Sequence, residues 1–447
     1  MRWGEKDRHA AFCRRAKARA LGLRGEGRMA KFTYTKLERN WVMYDVGNSA
    51  LVLLQTSVVP IYFNALNTGA SSAELVSAWA NAQTVSSLVV ALLMPILGSL
   101  ADYAGNKVKF FIGFFLTGLV LCFAQALPMS ALAFLVVYVL CTIGLNSSMT
   151  FYDAMLTDVT TDERMDTVSS SGYAWGYVGS TIPFIVCLAL IFGGPALGLD
   201  TMFCTRMSFV ITGAWWLAFT LPLLKTYKQK FGKEREPGES TLGIVCDTFR
   251  GLGVTMAKIA RDRVLFVYMI AFFFYIDGVH TVISMATSYG SALGIDSTQL
   301  VLALLVTQFV AFPSAIVYGK LAGRFGTLRM IIVAVFAYVG IVLFATFFLK
   351  TAVEFWILAI LVGLFQGGIQ ALSRSYFGKI IPKEHANEYY GFFDIFGRYA
   401  SVMGTFLVGV ITAATGDASL GVLSIGILLV VGLVMLFRLP DARGERA

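Results

Sequence analysis

Gly98-Ser99-Leu100-Ala101-Asp102-Tyr103-Ala104-Gly105-Asn106-Lys107-Val108-Lys109 is a charged, glycine-marked turn between two long apolar runs. It returns 221 positions later as Gly319-Lys320-Leu321-Ala322-Gly323-Arg324-Phe325-Gly326-Thr327-Leu328-Arg329. Both copies read G-x-L-A-x-x-x-G and then a basic residue. Each falls between the second and third apolar runs of its half of the chain. A repeat of this length, in this setting, points to a duplicated membrane protein.

The runs around the turn set the fold class. The chain has 447 residues, 57% of them hydrophobic and only 14% charged. A soluble domain carries about a quarter charged residues. The apolar residues come in blocks long enough to cross a bilayer as helices. A bilayer admits only helices or closed barrels, and the blocks lack period-2 alternation, so they read as helices. The sequence predicts an all-α membrane protein with twelve spans in two six-helix bundles. The first bundle, 41–224, holds spans 41–63, 79–101, 109–127, 131–152, 168–192 and 205–224. The second, 264–438, holds 264–289, 297–319, 329–349, 353–373, 389–413 and 419–437. Residues 225–263 form the linker and 439–447 a short tail. Within the linker, Leu242, Val245, Phe249, Leu252, Met256 and Ile259 recur at helical spacing, as in an amphipathic surface helix. A plain solvated linker fits as well.

The net charge of +9 raises nucleic acid as a partner, and the distribution of charge argues against it. On this topology 33 of the 36 Lys and Arg lie on one face of the membrane, the exceptions being Arg206, Lys350 and Arg398. That bias places this face, and both termini, in the cytoplasm. Residues 1–40 carry twelve Lys or Arg against four acids and read as a basic cytoplasmic arm, not a secretory signal. Met29-Ala30-Lys31 offers a second possible start. The six cysteines show neither C-x-x-C nor zinc-ligand spacing. There is no phosphate loop, no H-E-x-x-H and no G-x-S-x-G. No cofactor, metal or catalytic residue is expected, and the chain does not read as an enzyme.

Charges inside spans are few, and each is costly in hydrocarbon, so each needs a partner or a cavity. Asp45, Asn48 and Ser49 share a helix face at i, i+3 and i+4 and suit a water-filled path. Helix capping near the cytoplasmic end is the other reading of Asp45. Asp277 and His280 stand one turn apart, either as a proton relay or as a buried pair. Asp394 and Arg398 can neutralise each other, or contact the cargo. Gln366 and Gln370 add neutral hydrogen bonding beside Gly363, Gly367 and Ala371, whose spacing permits close helix approach. Arg374 closes this stretch and reads as an anchor or gate.

These stretches carry a resemblance. The repeated turn resembles the loop between helices two and three of major facilitator superfamily transporters, G-x-x-x-D-x-x-G-x-[RK]-[RK]. Gly98, Asp102, Gly105 and Lys107 match it, Tyr103 and Val108 depart from it, and Gly323 replaces the acid in the second copy. The resemblance marks Gly98, Asp102, Gly105, Lys107, Gly319, Arg324, Gly326 and Arg329 as a gating motif. The opening Trp41-Val42-Met43-Tyr44-Asp45-Val46-Gly47-Asn48-Ser49, the Asp277-Gly278-Val279 of span seven, and Gln366-Gly367-Gly368-Ile369-Gln370-Ala371-Leu372-Ser373-Arg374-Ser375 look like the "unknown major facilitator" family. That family includes the fungal autophagy-related vacuolar amino-acid effluxers. The resemblance implies a monomeric inner-membrane carrier of a small organic solute, amino acids being the best-known cargo, with proton-driven or facilitated transport. A sugar carrier, a drug exporter and a solute sensor that does not transport remain open.

Overall fold

The computed structural model describes residues 32–67, 69, 71–234 and 253–439. These residues are almost wholly helical, as the backbone of a bilayer-spanning chain requires. The first half contains α1 (Lys36–Ser57), α2 (Val59–Leu66), α3 (Ser72–Ala101), α4 (Asn106–Ala124), α5 (Ala131–Val159), α6 (Asp162–Gly193) and α7 (Thr201–Thr226). The second contains α8 (Arg263–Ala292), α9 (Ser297–Phe325), α10 (Thr327–Phe347), α11 (Ala352–Ile380), α12 (Ala386–Thr415) and α13 (Ala418–Leu436). Pro60 opens α2 without an amide donor, and α1 and α2 meet there at a 42° bend.

Ten of these helices are long and apolar enough to cross a bilayer, or eleven when the bent α1–α2 pair counts as one span. The helix left out is α12. It is 30 residues long, and the apolar stretch among its fully described residues is Met403–Thr415. Several helices also outrun their apolar stretches. α6 begins at Asp162 rather than at 168, and α11 continues to Ile380 rather than ending at 373. The added turns are polar, and they carry much of the contact between the halves described below.

Each half packs its own apolar interior, around Tyr62, Phe134 and Phe209 in the first and around Tyr268, Tyr338 and Phe377 in the second. On the outside, Leu92, Val120, Leu132, Phe336 and Ile427 are each more than 60% exposed. Such a surface suits hydrocarbon as its solvent. The halves meet along α3 against α12 and α6 against α9, while α5 and α6 also touch α11 and α12. The chain leaving α7 lies along the end of the first half. The Ala104 amide donates to the Lys233 carbonyl at 3.0 Å, and the Lys233 amide donates to the Asp102 carbonyl at 2.8 Å. Most of the amphipathic pattern at 242–259 lies outside the described residues. Its end, 253–261, is helical, with Ile259 buried in the second-half core and Met256 exposed.

Candidate functional site

A cavity of about 470 Å³ lies between the halves. α1 supplies its first polar face. Asp45, Asn48 and Ser49 all line it, and the Asn48 amide donates to Asp45 Oδ1 at 3.4 Å. This stripe faces α6, whose glycines let the two helices close up. A Cβ on Gly176 would lie 2.7 Å from Ser49 Oγ. From the second half, His280, Gln370 and Asp394 line the same cavity. Asp394 accepts a hydrogen bond from the Thr150 hydroxyl of α5 at 2.5 Å. The side chain of Arg398 is outside the described residues.

Two expected members sit elsewhere. Gln366 is buried against α9, where its amide donates to Gln308 Oε1 at 3.5 Å, and it does not line the cavity. Asp277 is fully buried, and its Oδ1 accepts from the Thr281 hydroxyl at 3.2 Å and from the Gly404 amide of α12 at 3.0 Å. It is therefore not hydrogen-bonded to His280. Three residues of helix advance turn the acid toward α12 and leave the imidazole on the cavity wall.

Arg374 forms the cavity floor and ties the halves together. Its Nη1 donates to Asp153 at 2.8 Å, its Nη2 to Asp45 at 3.3 Å, and its Nε to Ser169 Oγ at 3.0 Å. The guanidinium carbon lies 4.7 Å from the ring centre of Trp41 and 4.5 Å from that of Tyr173. Only arginine supplies planar donors in several directions while stacking on aromatic faces. Gly172 passes beside this contact, where a Cβ would collide with Asp45.

Beyond Arg374 the halves are sealed by a polar layer. Asp102, at the end of α3, caps the start of α12. It accepts from the Asn387 amide at 2.9 Å, from the Asn387 side chain at 2.7 Å and from the Glu388 amide at 3.2 Å. Burial pushes the Asp102 carboxyl up to about 6, against the pull of Lys107 and of the Asn387 donors. On the other side of the interface the acid sits on the helix. Asp166 of α6 accepts from Thr327 at 2.8 Å and from Ser375 at 2.6 Å, and pairs with Lys379 at 2.7 Å. The paired glycines permit both contacts. A Cβ on Gly98 would collide with the Asn387 carbonyl, and one on Gly319 would stand 2.7 Å from the Ser170 Cβ. Gly105 and Gly326, also 221 apart, take φ of 80° and 105°, which a side chain would strain.

Within the first copy of the turn, Lys107 is fully buried against Asp158 at 2.7 Å. Asp158 also accepts from Tyr227 and from the amides of Lys230 and Phe231, so it fastens the start of the linker. Arg324 lies with its guanidinium carbon 5.4 Å from the Phe325 ring centre, and both Arg324 and Arg329 are exposed.

Asp153, Asp158, Asp162 and Asp166 were missing from the residues singled out in the sequence. The repeat offset could have found two of them. Asp153 is 221 positions from Arg374, and Asp162 is 221 from Lys383, to which it pairs at 2.8 Å. Residues related by a two-fold repeat meet themselves at the axis. Divergence of the two copies has put opposite charges where identical ones would repel.

The comparisons with known proteins agree with this geometry. Residues 64–447 match the family described as "Vacuole effluxer Atg22 like". The MFS-type transporter YxiO of Bacillus subtilis is 44% identical, over 91% of this chain and 96% of its own length. Autophagy-related protein 22-1 of Aspergillus niger is 24% identical over 62% of this chain, which spans about half (48%) of the fungal protein. Among solved structures, the proton:xylose symporter XylE superposes with a TM-score of 0.70 at 11% identity, covering 91% of this chain and 95% of that one. FucP in its outward conformation superposes with a TM-score of 0.68 at 15% identity, covering 90% and 97%. At those identities the two structures speak for the fold alone. The chain belongs to the Atg22-like vacuole effluxer family, and it is a multi-pass membrane transporter of the major facilitator fold.

Proposed function

We propose that this protein is a secondary carrier of amino acids that works by alternating access, exporting its cargo across a bacterial plasma membrane with coupling to protons. The observation that carries the reading is the cavity between the halves. Asp45, Asp153 and Asp394 converge there with Arg374 and His280. Carboxylates suit the ammonium group of a zwitterion, and a guanidinium suits its carboxylate. The efflux direction and the amino-acid cargo are carried over from the Atg22-like family, and the cavity chemistry supports the cargo.

Orientation follows from charge. Lys109, Lys225, Lys228, Lys230, Arg261, Arg324 and Arg329 all lie at the sealed end, whereas Arg206 and Lys350 lie at the other. The positive-inside bias makes the sealed end cytoplasmic, so the described conformation faces outward. The test is uptake into proteoliposomes of labelled neutral amino acids, cationic amino acids and sugars, with and without an imposed pH gradient. Saturable, gradient-driven movement of an amino acid supports the reading. Movement of sugars alone would replace it.

A further inference from the structure

We propose that the sealed end holds a site for a divalent transition-metal cation, formed by the Asp102 carboxylate, the His385 Nδ1 and the Glu388 carboxylate. One ligand atom from each residue lies within 4.8 Å of the others. Asp102 ends α3 in the first half. His385 and Glu388 flank the start of α12 in the second. Sequence spacing assigns no metal here because the ligands come from opposite ends of the chain.

Two further atoms point to a ligand. Glu388 Oε1 and Asn387 Oδ1 are both buried without a close hydrogen-bond partner, on residues only 2% and 1% exposed, with the Thr255 and His385 side chains as the donors acting on the Glu388 carboxylate. Acceptor oxygens left unpaired at this depth call for a donor or a cation. The donor set fits. One imidazole and two carboxylates, with positions left for water, suit zinc and its neighbours. Two ligands of a tetrahedral ion at about 2.1 Å stand about 3.4 Å apart. His385 Nδ1 and Glu388 Oε2 are already 3.7 Å apart. The Lys233 ammonium, 3.7 Å from the same carboxylate, holds the positive charge there, and an arriving cation would displace it. The His385 side chain is 34% exposed, which leaves a route in from the aqueous side.

A cation bound here would join the two halves where alternating access must part them. It would hold the sealed end shut and slow turnover from that side, whatever the cargo. Zn2+ alone, titrated calorimetrically into the full chain in lipid nanodiscs after chelator treatment, tests the site. One ion per chain is expected. His385→Ala and Glu388→Gln should each weaken binding by at least about tenfold, and Lys233→Gln should tighten it. If Glu388→Gln fails to insert, His385→Ala decides alone, because its side chain is partly exposed. No stoichiometric binding to the unmodified chain, or binding left intact by His385→Ala, overturns the proposal.

Discussion

Arg374 touches both the cavity and the seal, so its chemistry bears on binding and on gating together. Its donors reach Asp45 and Asp153 on two different helices of the other half. Removing one member of a buried ion pair strands the remaining charge, at a cost of about 3–5 kcal/mol. Arg374→Gln should therefore destabilise this sealed conformation by that order, lowering both the thermal midpoint and the transport rate. Asp153→Asn should do the same. Because the residues are partners, the double variant should lose less than the sum of the two single losses. Thermal unfolding of all four proteins in one lipid checks it, and strictly additive losses would show that the pair does not act as a unit. Arg374 itself was visible in the sequence, as a charge closing a glycine-rich span. Asp153 was not, because α5 runs on to Val159 and the apolar signal had already ended by 152. The 221-residue offset is the clue that links the two.

At the level of elements, the seal is a helix end docked onto a carboxylate. The start of α12 presents free amides and the positive end of its dipole, and Asp102 receives both. The interaction exists only while the sealed end is closed, so it biases the conformational equilibrium and not the affinity for cargo. Asp102→Asn keeps the shape and removes the charge. A favourable, partly buried charge at a helix terminus is worth up to about 2 kcal/mol, or roughly 30-fold in an equilibrium. Turnover should fall severalfold while the half-saturating cargo concentration changes little. A variant that assembles normally yet binds no cargo would refute the gating role. The elements themselves were legible because hydrocarbon demands long apolar helices, and the repeat fixed where the turns lie. Which helix end Asp102 would cap could not be read locally, because Asn387 lies 285 residues away.

For the whole molecule, alternating access requires one end to be sealed and the charged path to be neutralised while both ends are shut. The sealed end is assigned to the cytoplasm by charge, and labelling checks that assignment. In a background with Cys13 and Cys246 changed to Ser, Glu384→Cys should react with an impermeant thiol reagent only after permeabilisation, and Thr351→Cys should react in intact cells. The reverse pattern would invert the orientation. Proton coupling is the larger question, and Asp277 is the group best placed for it. It is fully buried within the bilayer-spanning region, and its Oδ2 has no hydrogen-bond partner. An acceptor oxygen left unpaired at that depth is open to a donor. His280, one turn away on the cavity wall, would pass the proton between the water-filled space and the buried acid. His280→Gln keeps the hydrogen bonding and removes the titration, while Asp277→Asn imitates the protonated acid permanently. Both variants should still exchange labelled cargo across a proteoliposome membrane. Neither should accumulate it against a gradient when a pH difference is imposed. If both accumulate cargo as well as the unmodified protein does, Asp277 is a packing acid for α12, His280 is only a lining residue, and coupling must be sought at Asp45, Asp153 or Asp394.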